Sequence, residues 1–369
     1  MELCVKTQHS ILLMRLASES FLRNPQRNDA VQRFADDAIL DSGYCAPLWL
    51  PGGTLQTIYA YYRKLNPNLV YRRERWETPD NDFIDLDWID SASTEARLLV
   101  VFHGLEGCSR SHYALALMSA ARQHGWRGVV PHFRGCSGEP NRLVRSYHSG
   151  DSDEIDWILR RLKERHPGAE IFTLGVSLGG NMLLKWLGEQ GENASTIIRH
   201  AVGVSVPVDL VAAASELDRG MKKMIYTRSF LRPLRRKVLG KITAHQLPLD
   251  PRQVRRASTF REFDNLYTAP VHGFKDAEDY WTRASSKPLL KQIKVPTLLV
   301  HAFNDPFIPA AALPRPEEVS NAVTLDYPVT GGHVGFVSGG FPGNLDWLTR
   351  RVLDFLNTEP VSHVGRRDF

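Results

Sequence analysis

The sequence predicts an α/β protein built on a doubly wound, mostly parallel sheet of eight strands, led by an antiparallel pair. Three observations predict this class. Eight strand-like runs recur from residue 69 onward, and segments with helical spacing separate most of them. Most of the later runs are continuously apolar, as in parallel strands that helices cover on both faces. The composition, 43% hydrophobic and 24% charged over 369 residues, is that of a globular protein.

The first two runs alternate polar and apolar residues, which predicts the antiparallel pair. The eight runs are LVYRRERW (69–76), FIDLDWI (83–89), RLLVVFHG (97–104), GVVPHFRG (128–135), EIFTLGVS (170–177), AVGVSVP (201–207), PTLLVHAF (296–303) and AVTLDYPV (322–329). Helical spacing is clearest over 151–168, where apolar residues recur every three to four positions and His166-Pro167-Gly168 ends the pattern. The other helical segments are 111–125, 178–189 and 344–356.

We divide the chain into four parts on this pattern. Residues 1–45 lack periodicity and are predicted to be a loosely structured extension. The core occupies 46–207 and 286–369. Between them, 208–285 places nearly eighty residues where one crossover helix would suffice, and we expect a helical cap there.

Positive charge is concentrated in this predicted cap. The whole chain has 46 basic and 41 acidic residues, a net charge of +5, but Arg219 to Arg256 contain twelve Lys or Arg and only one acid, Asp250. Such a field can attract an anionic partner such as nucleic acid, a lipid head group or a carboxylate-bearing substrate, or can simply be a solvated face, and both interpretations stay open. We expect no nucleic-acid partner.

Several function classes are excluded by missing patterns. There is no phosphate-binding loop, no zinc-protease motif, no calcium loop and no dinucleotide fingerprint, so we expect no metal and no cofactor. No window approaches the ~20 apolar residues of a membrane span, and Arg15 interrupts the nearest N-terminal candidate. The four cysteines form no paired motif. We therefore predict a cytoplasmic protein.

The segment LGVSLGG at 174–180 predicts a nucleophile. Its Gly175-Val176-Ser177-Leu178-Gly179 lies where a buried strand ends and a helix begins. On such a sharp turn Gly175 and Gly179 give the backbone room, Ser177 is lifted clear of the sheet, and the Leu178 amide can stabilise an oxyanion.

A serine nucleophile needs a histidine base and an acid that orients it. His333, in a glycine-flanked loop after the last strand, is favoured over His363 in the polar tail. For the acid, Asp305 directly follows a strand run and is favoured over Asp209, which could instead cap the first cap helix. We expect the Leu105 amide, in the turn after the first central strand, to be the second oxyanion donor.

Several motifs in order resemble the YheT-like α/β-hydrolases, relatives of the abhydrolase-domain lipases and esterases. They span about 46–356 and are LQT (55–57), HFRGCSGEPNR (132–142), YHSGD (147–151), GVSLGGNML (175–183), REFDNLYTAPVHGF (261–274), NDPFIP (304–309) and GGHVGF (331–336). The resemblance implies an α/β-hydrolase fold and a Ser177-Asp305-His333 charge relay that acts on carboxylic esters, commonly with short or medium acyl chains.

We therefore expect a serine carboxylesterase that works through an acyl-enzyme. The same relay could serve an acyltransferase or a thioesterase, or the scaffold could be a binding protein without catalysis. The cap would cover the mouth of the site, and its apolar residues could line an adaptable pocket or simply pack on the core. These residues are Met221, Met224, Ile225, Phe230 and Leu231.

Overall fold

A computed structural model describes residues 39–40, 42–63, 68–91 and 97–358. Within them the chain forms a nine-stranded sheet in the order β1-β9-β8-β7-β6-β4-β5-β3-β2. Strand β3 pairs antiparallel with β2 and β5, and the remaining pairs are parallel. The strands are β1 (Ile39–Leu40), β2 (Arg72–Glu77), β3 (Phe83–Ile89), β4 (Leu98–Phe102), β5 (Arg127–Pro131), β6 (Ile171–Val176), β7 (His200–Val204), β8 (Thr297–Val300) and β9 (Val323–Asp326).

The sheet has one strand more than the eight runs predict. Strand β1 is only two residues long, too short for a periodic signal, and pairs with β9 at the edge of the sheet. Close by in the chain, the buried Tyr44 hydroxyl donates to the Val337 carbonyl at 2.7 Å. The predicted boundary of the extension at residue 45 therefore falls inside a packed stretch, whereas residues 1–38 lie outside the described residues.

Helices cover both faces of the sheet. Helices α3 and α4 contribute their buried side chains to one apolar core, and α2 and α12 contribute theirs to the other. The helices outside the cap are α1 (Gly53–Tyr62), α2 (His112–Gln123), α3 (Ser152–Arg165), α4 (Leu178–Gln190) and α12 (Asp346–Leu356). Short 3₁₀ segments lie at Gly191–Thr196, Lys287–Gln292, Ala310–Ala312 and Pro316–Glu318.

Between β7 and β8 the chain forms a run of helices. They are α5 (Leu210–Leu217), α6 (Gly220–Lys222), α7 (Arg228–His245), α8 (Pro251–Arg256), α9 (Phe260–Phe263), α10 (Ala269–Val271) and α11 (Ala277–Ala284), with π-helical segments at Lys223–Thr227 and Asp264–Thr268. The two ends of this run are bonded to each other. The Leu210 amide donates to Ser285 Oγ at 2.9 Å, and the Lys287 amide donates to the Val208 carbonyl at 3.0 Å.

The expectation that Met221, Met224 and Ile225 line a pocket is wrong, because these side chains are exposed to solvent. Of the same group, Phe230 lines a cavity and Leu231 is fully buried. A physical reason is the π-helical segment Lys223–Thr227, whose wider turn breaks the 3.6-residue period. Apolar residues before and after it therefore do not share one face.

No helix in the described ranges is both long and apolar enough to span a bilayer. The cysteines within these ranges, Cys45, Cys108 and Cys136, are free thiols. The cytoplasmic location stays a prediction.

Candidate active site

Ser177 occupies a strained turn between β6 and α4. Its φ of 51° lies in the left-handed region, which non-glycine residues rarely adopt. Both flanking glycines are required by close backbone contacts. A Cβ at Gly175 would lie 2.5 Å from Gly180 Cα, and a Cβ at Gly179 would lie 2.4 Å from the His103 carbonyl oxygen. The turn therefore holds the serine hydroxyl at the carboxyl edge of the sheet.

The structure brings Ser177, His333 and Asp305 together. Ser177 Oγ lies 3.0 Å from His333 Nε2, and His333 Nδ1 lies 2.8 Å from Asp305 Oδ2. The three residues follow β6, β9 and β8, whose carboxyl ends meet at one edge because the strands are parallel. An aspartate on Nδ1 fixes the tautomer that leaves Nε2 free to accept the serine proton.

Asp305 is buried and held as a carboxylate. Burial by itself would raise the pKa of this carboxyl group, but the neighbouring His333 and His301 and the Phe307 amide outweigh it and lower the pKa. The Phe307 amide donates to Oδ1 at 2.7 Å. The Phe307 ring stacks on the His333 imidazole, with centroids 4.0 Å apart. These contacts fix the position of the Asp305 carboxylate and the plane of the His333 ring.

The competing candidates have other roles or positions. Asp209 caps α5, and its side chain accepts the Ala212 amide at 3.0 Å. His363 lies outside the described residues.

Leu105 and Leu178 line the same cavity as Ser177 and His333. Neither amide has a hydrogen-bond acceptor within the described part of the chain. By contrast, the amides on either side of Leu105 are bonded: Gly104 donates to Tyr113 Oη at 2.8 Å and Glu106 donates to Tyr147 Oη at 2.9 Å. Both leucine amides are therefore available to an incoming oxyanion.

His103 holds the turn that carries Leu105. Its Nε2 accepts the Phe133 amide at 3.1 Å, so Nδ1 carries the proton and donates to the Gly104 carbonyl at 2.8 Å. Complete burial lowers the pKa of His103 to about 3, which keeps the ring neutral. This histidine supports the loop and makes no side-chain hydrogen bond to Ser177.

Sequence reasoning missed the residues that position the His333 loop. The Thr57 hydroxyl accepts the His333 amide at 2.8 Å, and Gln56 Oε1 accepts the Gly331 amide at 2.9 Å. Asn304 Oδ1 accepts the Gly332 amide at 2.9 Å. The signal in the sequence is the LQT motif at 55–57, which contains both Gln56 and Thr57.

Comparison with known proteins identifies the family. Residues 97–339 match the family model described as alpha/beta hydrolase fold. YheT of Escherichia coli (strain K12), a protein assigned as an esterase, is 41% identical over 289 residues, which cover 77% of this chain and 84% of YheT. This chain belongs to the YheT-like α/β-hydrolases.

Two further comparisons bear on the fold and activity of this YheT-like α/β-hydrolase. Phospholipase ABHD3 of Mus musculus is 29% identical over 351 residues, covering 91% of this chain and 85% of ABHD3. The esterase Pf2001 of Pyrococcus furiosus superimposes with a TM-score of 0.52 at 17% identity, over 78% of this chain and 92% of its own, which shows a shared fold. Membership of an esterase- and lipase-type family supports a hydrolase activity.

Two cavities meet at the site of this YheT-like hydrolase. The first, of about 100 Å³, contains Ser177 and His333. Its other walls are mainly apolar and include Leu210, Ala213, Ala214, Leu217, Phe230 and Ile308. The cap therefore supplies about half of the lining residues of the cavity beside Ser177.

The second cavity, of about 90 Å³, is more polar. Its walls include Glu106, Arg134, Lys237 and His272. Asp264 borders both cavities and accepts the Trp281 indole N–H at 2.8 Å. Burial raises the pKa of Asp264 to about 6.

Proposed function

We propose that this protein is a serine carboxylesterase that hydrolyses esters through an acyl-enzyme on Ser177. The observation that supports this most directly is the continuous hydrogen-bonded line from Ser177 Oγ through His333 to Asp305, with distances of 3.0 and 2.8 Å. This arrangement can turn a weakly nucleophilic hydroxyl into an attacking group at neutral pH.

In the acylation half-reaction, Ser177 Oγ attacks the ester carbonyl carbon while His333 Nε2 takes the hydroxyl proton. The Leu105 and Leu178 amides donate to the carbonyl oxygen as it becomes negative. Asp305 stabilises the imidazolium that forms. Collapse of the tetrahedral intermediate breaks the bond to the alcohol, and His333 gives its proton to the departing alkoxide.

Deacylation repeats the same steps with water. His333 Nε2 takes one proton from the water as its oxygen attacks the acyl carbon. The second tetrahedral intermediate then expels Ser177, which recovers its proton from the imidazolium. The products are a carboxylic acid and an alcohol, and the enzyme returns to its starting state.

The first cavity supports a preference for short and medium acyl chains. Its apolar walls favour a hydrocarbon chain beside the scissile carbonyl. Its volume of about 100 Å³ is small. The polar second cavity is suited to hydroxyl or other hydrogen-bonding groups of the alcohol part.

A fluorophosphonate probe and a series of p-nitrophenyl esters test this function. We expect the probe to label wild type and not Ser177→Ala, and Ser177→Ala to lower ester turnover by at least about 10³-fold. Ser149→Ala is the matched control, since Ser149 lines the same cavity but makes no hydrogen bond to His333.

The control variant should keep its labelling. Absence of labelling in wild type, or equal labelling of Ser177→Ala, would contradict the proposal and favour a binding protein on a hydrolase scaffold. Within the ester series, we expect turnover to peak at short or medium chains.

A further inference from the structure

The cap helices that cover the cavity carry a distinct outward face. It is formed by α6, the π-helical segment Lys223–Thr227 and the following helix α7, and we name it the outer stripe. The outer stripe consists of Met221, Met224, Ile225, Arg228, Arg232 and Arg236.

One end of the outer stripe is apolar. Met221 is 69% exposed, Met224 65% and Ile225 37%. Single exposed apolar side chains are ordinary on a protein surface, but three within five residues form a patch. Methionine is flexible and suits a soft, irregular partner.

The other end of the outer stripe is cationic and unneutralised. Arg228, Arg232 and Arg236 are spaced four residues apart, so they share one face of α7, and all three are exposed. None forms an ion pair with any described residue. Nearby carboxylates are already engaged: Glu216 pairs with Lys222, and Asp218 accepts two backbone amides.

Other basic side chains of the cap are not free to bind a partner, because they already have hydrogen-bond acceptors. Lys237 bonds Glu106 at 2.7 Å, and the Lys241 ammonium donates to three backbone carbonyls of 143–145. Arg235 donates to the carbonyls of Arg255 and Ala257. Lys237 and Lys241 therefore join the cap to the core, and Arg235 joins two helices within the cap, which distinguishes all three from the arginines of the outer stripe.

Only the thickness of one helix separates the outer stripe from the catalytic site. Tyr226 and Phe230, on the inner side of the same segment, contact the Phe307 ring at centroid distances of 4.7 and 5.7 Å. Phe307 in turn stacks on His333. A partner seated on the outer stripe would therefore lie next to the chamber that receives the substrate.

We propose that the outer stripe docks the protein on an anionic lipid bilayer. Arginines beside exposed apolar side chains match such a surface, because the former bind acidic head groups and the latter enter the boundary of the acyl chains. A nucleic acid would use the arginines but has no place for the three apolar residues. Docking would bring the cavity to a source of ester substrates.

Co-sedimentation with vesicles of phosphatidylcholine, with and without 30% phosphatidylserine, tests this docking. We expect wild type to bind the anionic vesicles and to lose binding as salt rises from about 0.1 to 0.5 M. Arg228→Gln, Arg232→Gln and Arg236→Gln combined should lower the partition coefficient on the order of 100-fold. Met221→Ser with Met224→Ser should lower it about tenfold and keep the salt dependence.

The matched control removes three charges outside the cap: Lys291→Gln, Lys294→Gln and Arg350→Gln, all exposed. This variant should bind within about twofold of wild type. Thermal unfolding and hydrolysis of a soluble short-chain ester report folding and catalysis independently of docking. If the triple arginine variant unfolds, Arg232→Gln alone carries the test, with an expected loss of about fivefold.

Three outcomes would overturn the proposal: no binding of wild type to anionic vesicles, an equal loss in the control variant, or binding to RNA without binding to vesicles. Each outcome is independent of whether Ser177 reacts with a fluorophosphonate, so docking and esterase activity can fail separately.

Discussion

Thr57 lies on the first helix of the described chain and positions His333, which follows 276 residues later. Its hydroxyl accepts the His333 amide at 2.8 Å and donates to the Gly53 carbonyl at 2.7 Å, and both bonds are buried. Thr57→Val keeps the shape of the side chain but removes the acceptor. The buried His333 amide then has no partner, while the Gly53 carbonyl lies one helical turn before residue 57 and can keep its backbone bond.

Thr57→Val costs stability because one buried hydrogen-bond donor, the His333 amide, loses its acceptor. We expect Thr57→Val to lower the free energy of unfolding by about 1–3 kcal/mol. A loop displacement on the order of 1 Å would move Nε2 away from Ser177 Oγ and lower kcat by about 10²-fold. KM should change less than threefold, because Thr57 does not border the cavity.

Urea unfolding and steady-state kinetics on a p-nitrophenyl ester measure both effects, and Thr57→Ser is the control because it restores the hydroxyl. Thr57→Ser should recover kcat to within about fivefold of wild type. A Thr57→Val enzyme that is destabilised but keeps wild-type kcat would refute the positioning role. Equal loss in the serine variant would also refute it.

The remaining predictions concern the acid, a buried carboxyl group and the chamber. Asp305→Asn should lower kcat by about 10⁴-fold, whereas Asp209→Ala should cost about 1 kcal/mol of stability through the lost helix cap and leave kcat within twofold; a larger kinetic effect at Asp209 would reverse the assignment. Because burial raises the pKa of Asp264 to about 6, the folded protein keeps a proton that the unfolded chain releases, so stability should fall as pH rises from about 4 through 6. Urea unfolding of wild type and of Asp264→Asn between pH 4 and 8 should show this contribution as the difference between the two pH dependences, worth at most about 3 kcal/mol; identical pH dependences would show that Asp264 makes no such contribution. Ala213→Trp should fill the first cavity and lower the octanoate-to-butyrate ratio of kcat/KM at least tenfold, and an unchanged ratio would show that the acyl chain lies elsewhere.

The sheet was predictable because buried parallel strands leave a strong local pattern. The run at 296–303 contains β8, and the run at 83–89 coincides with β3. The edge strand β1 was not predictable, since two residues cannot show a period and its partner lies 286 positions away at β9.

The three site side chains were predictable because each follows a recognisable strand end. The partners of the His333 loop were not, because a buried Gln56 or Thr57 looks the same in sequence whether it caps a turn or supports a site. Likewise, apolar residues at 221–225 do not reveal their exposed face, which depends on where the π-helical turn falls.

The bonded ends of the cap have a consequence for how such enzymes diversify. Because the chain departs after Val208 and returns at Ser285 and Lys287 within hydrogen-bond distance, the insertion begins and ends at one point of the core. Its further bonds to the core, such as those of Lys237 and Lys241, are made by side chains of the insertion itself. A segment of different length or sequence could be exchanged between these points without altering the spacing of β7 and β8. Exchange of this one segment could then change substrate preference. Asp305 and His333 come after the segment in the chain and would keep their positions in the core.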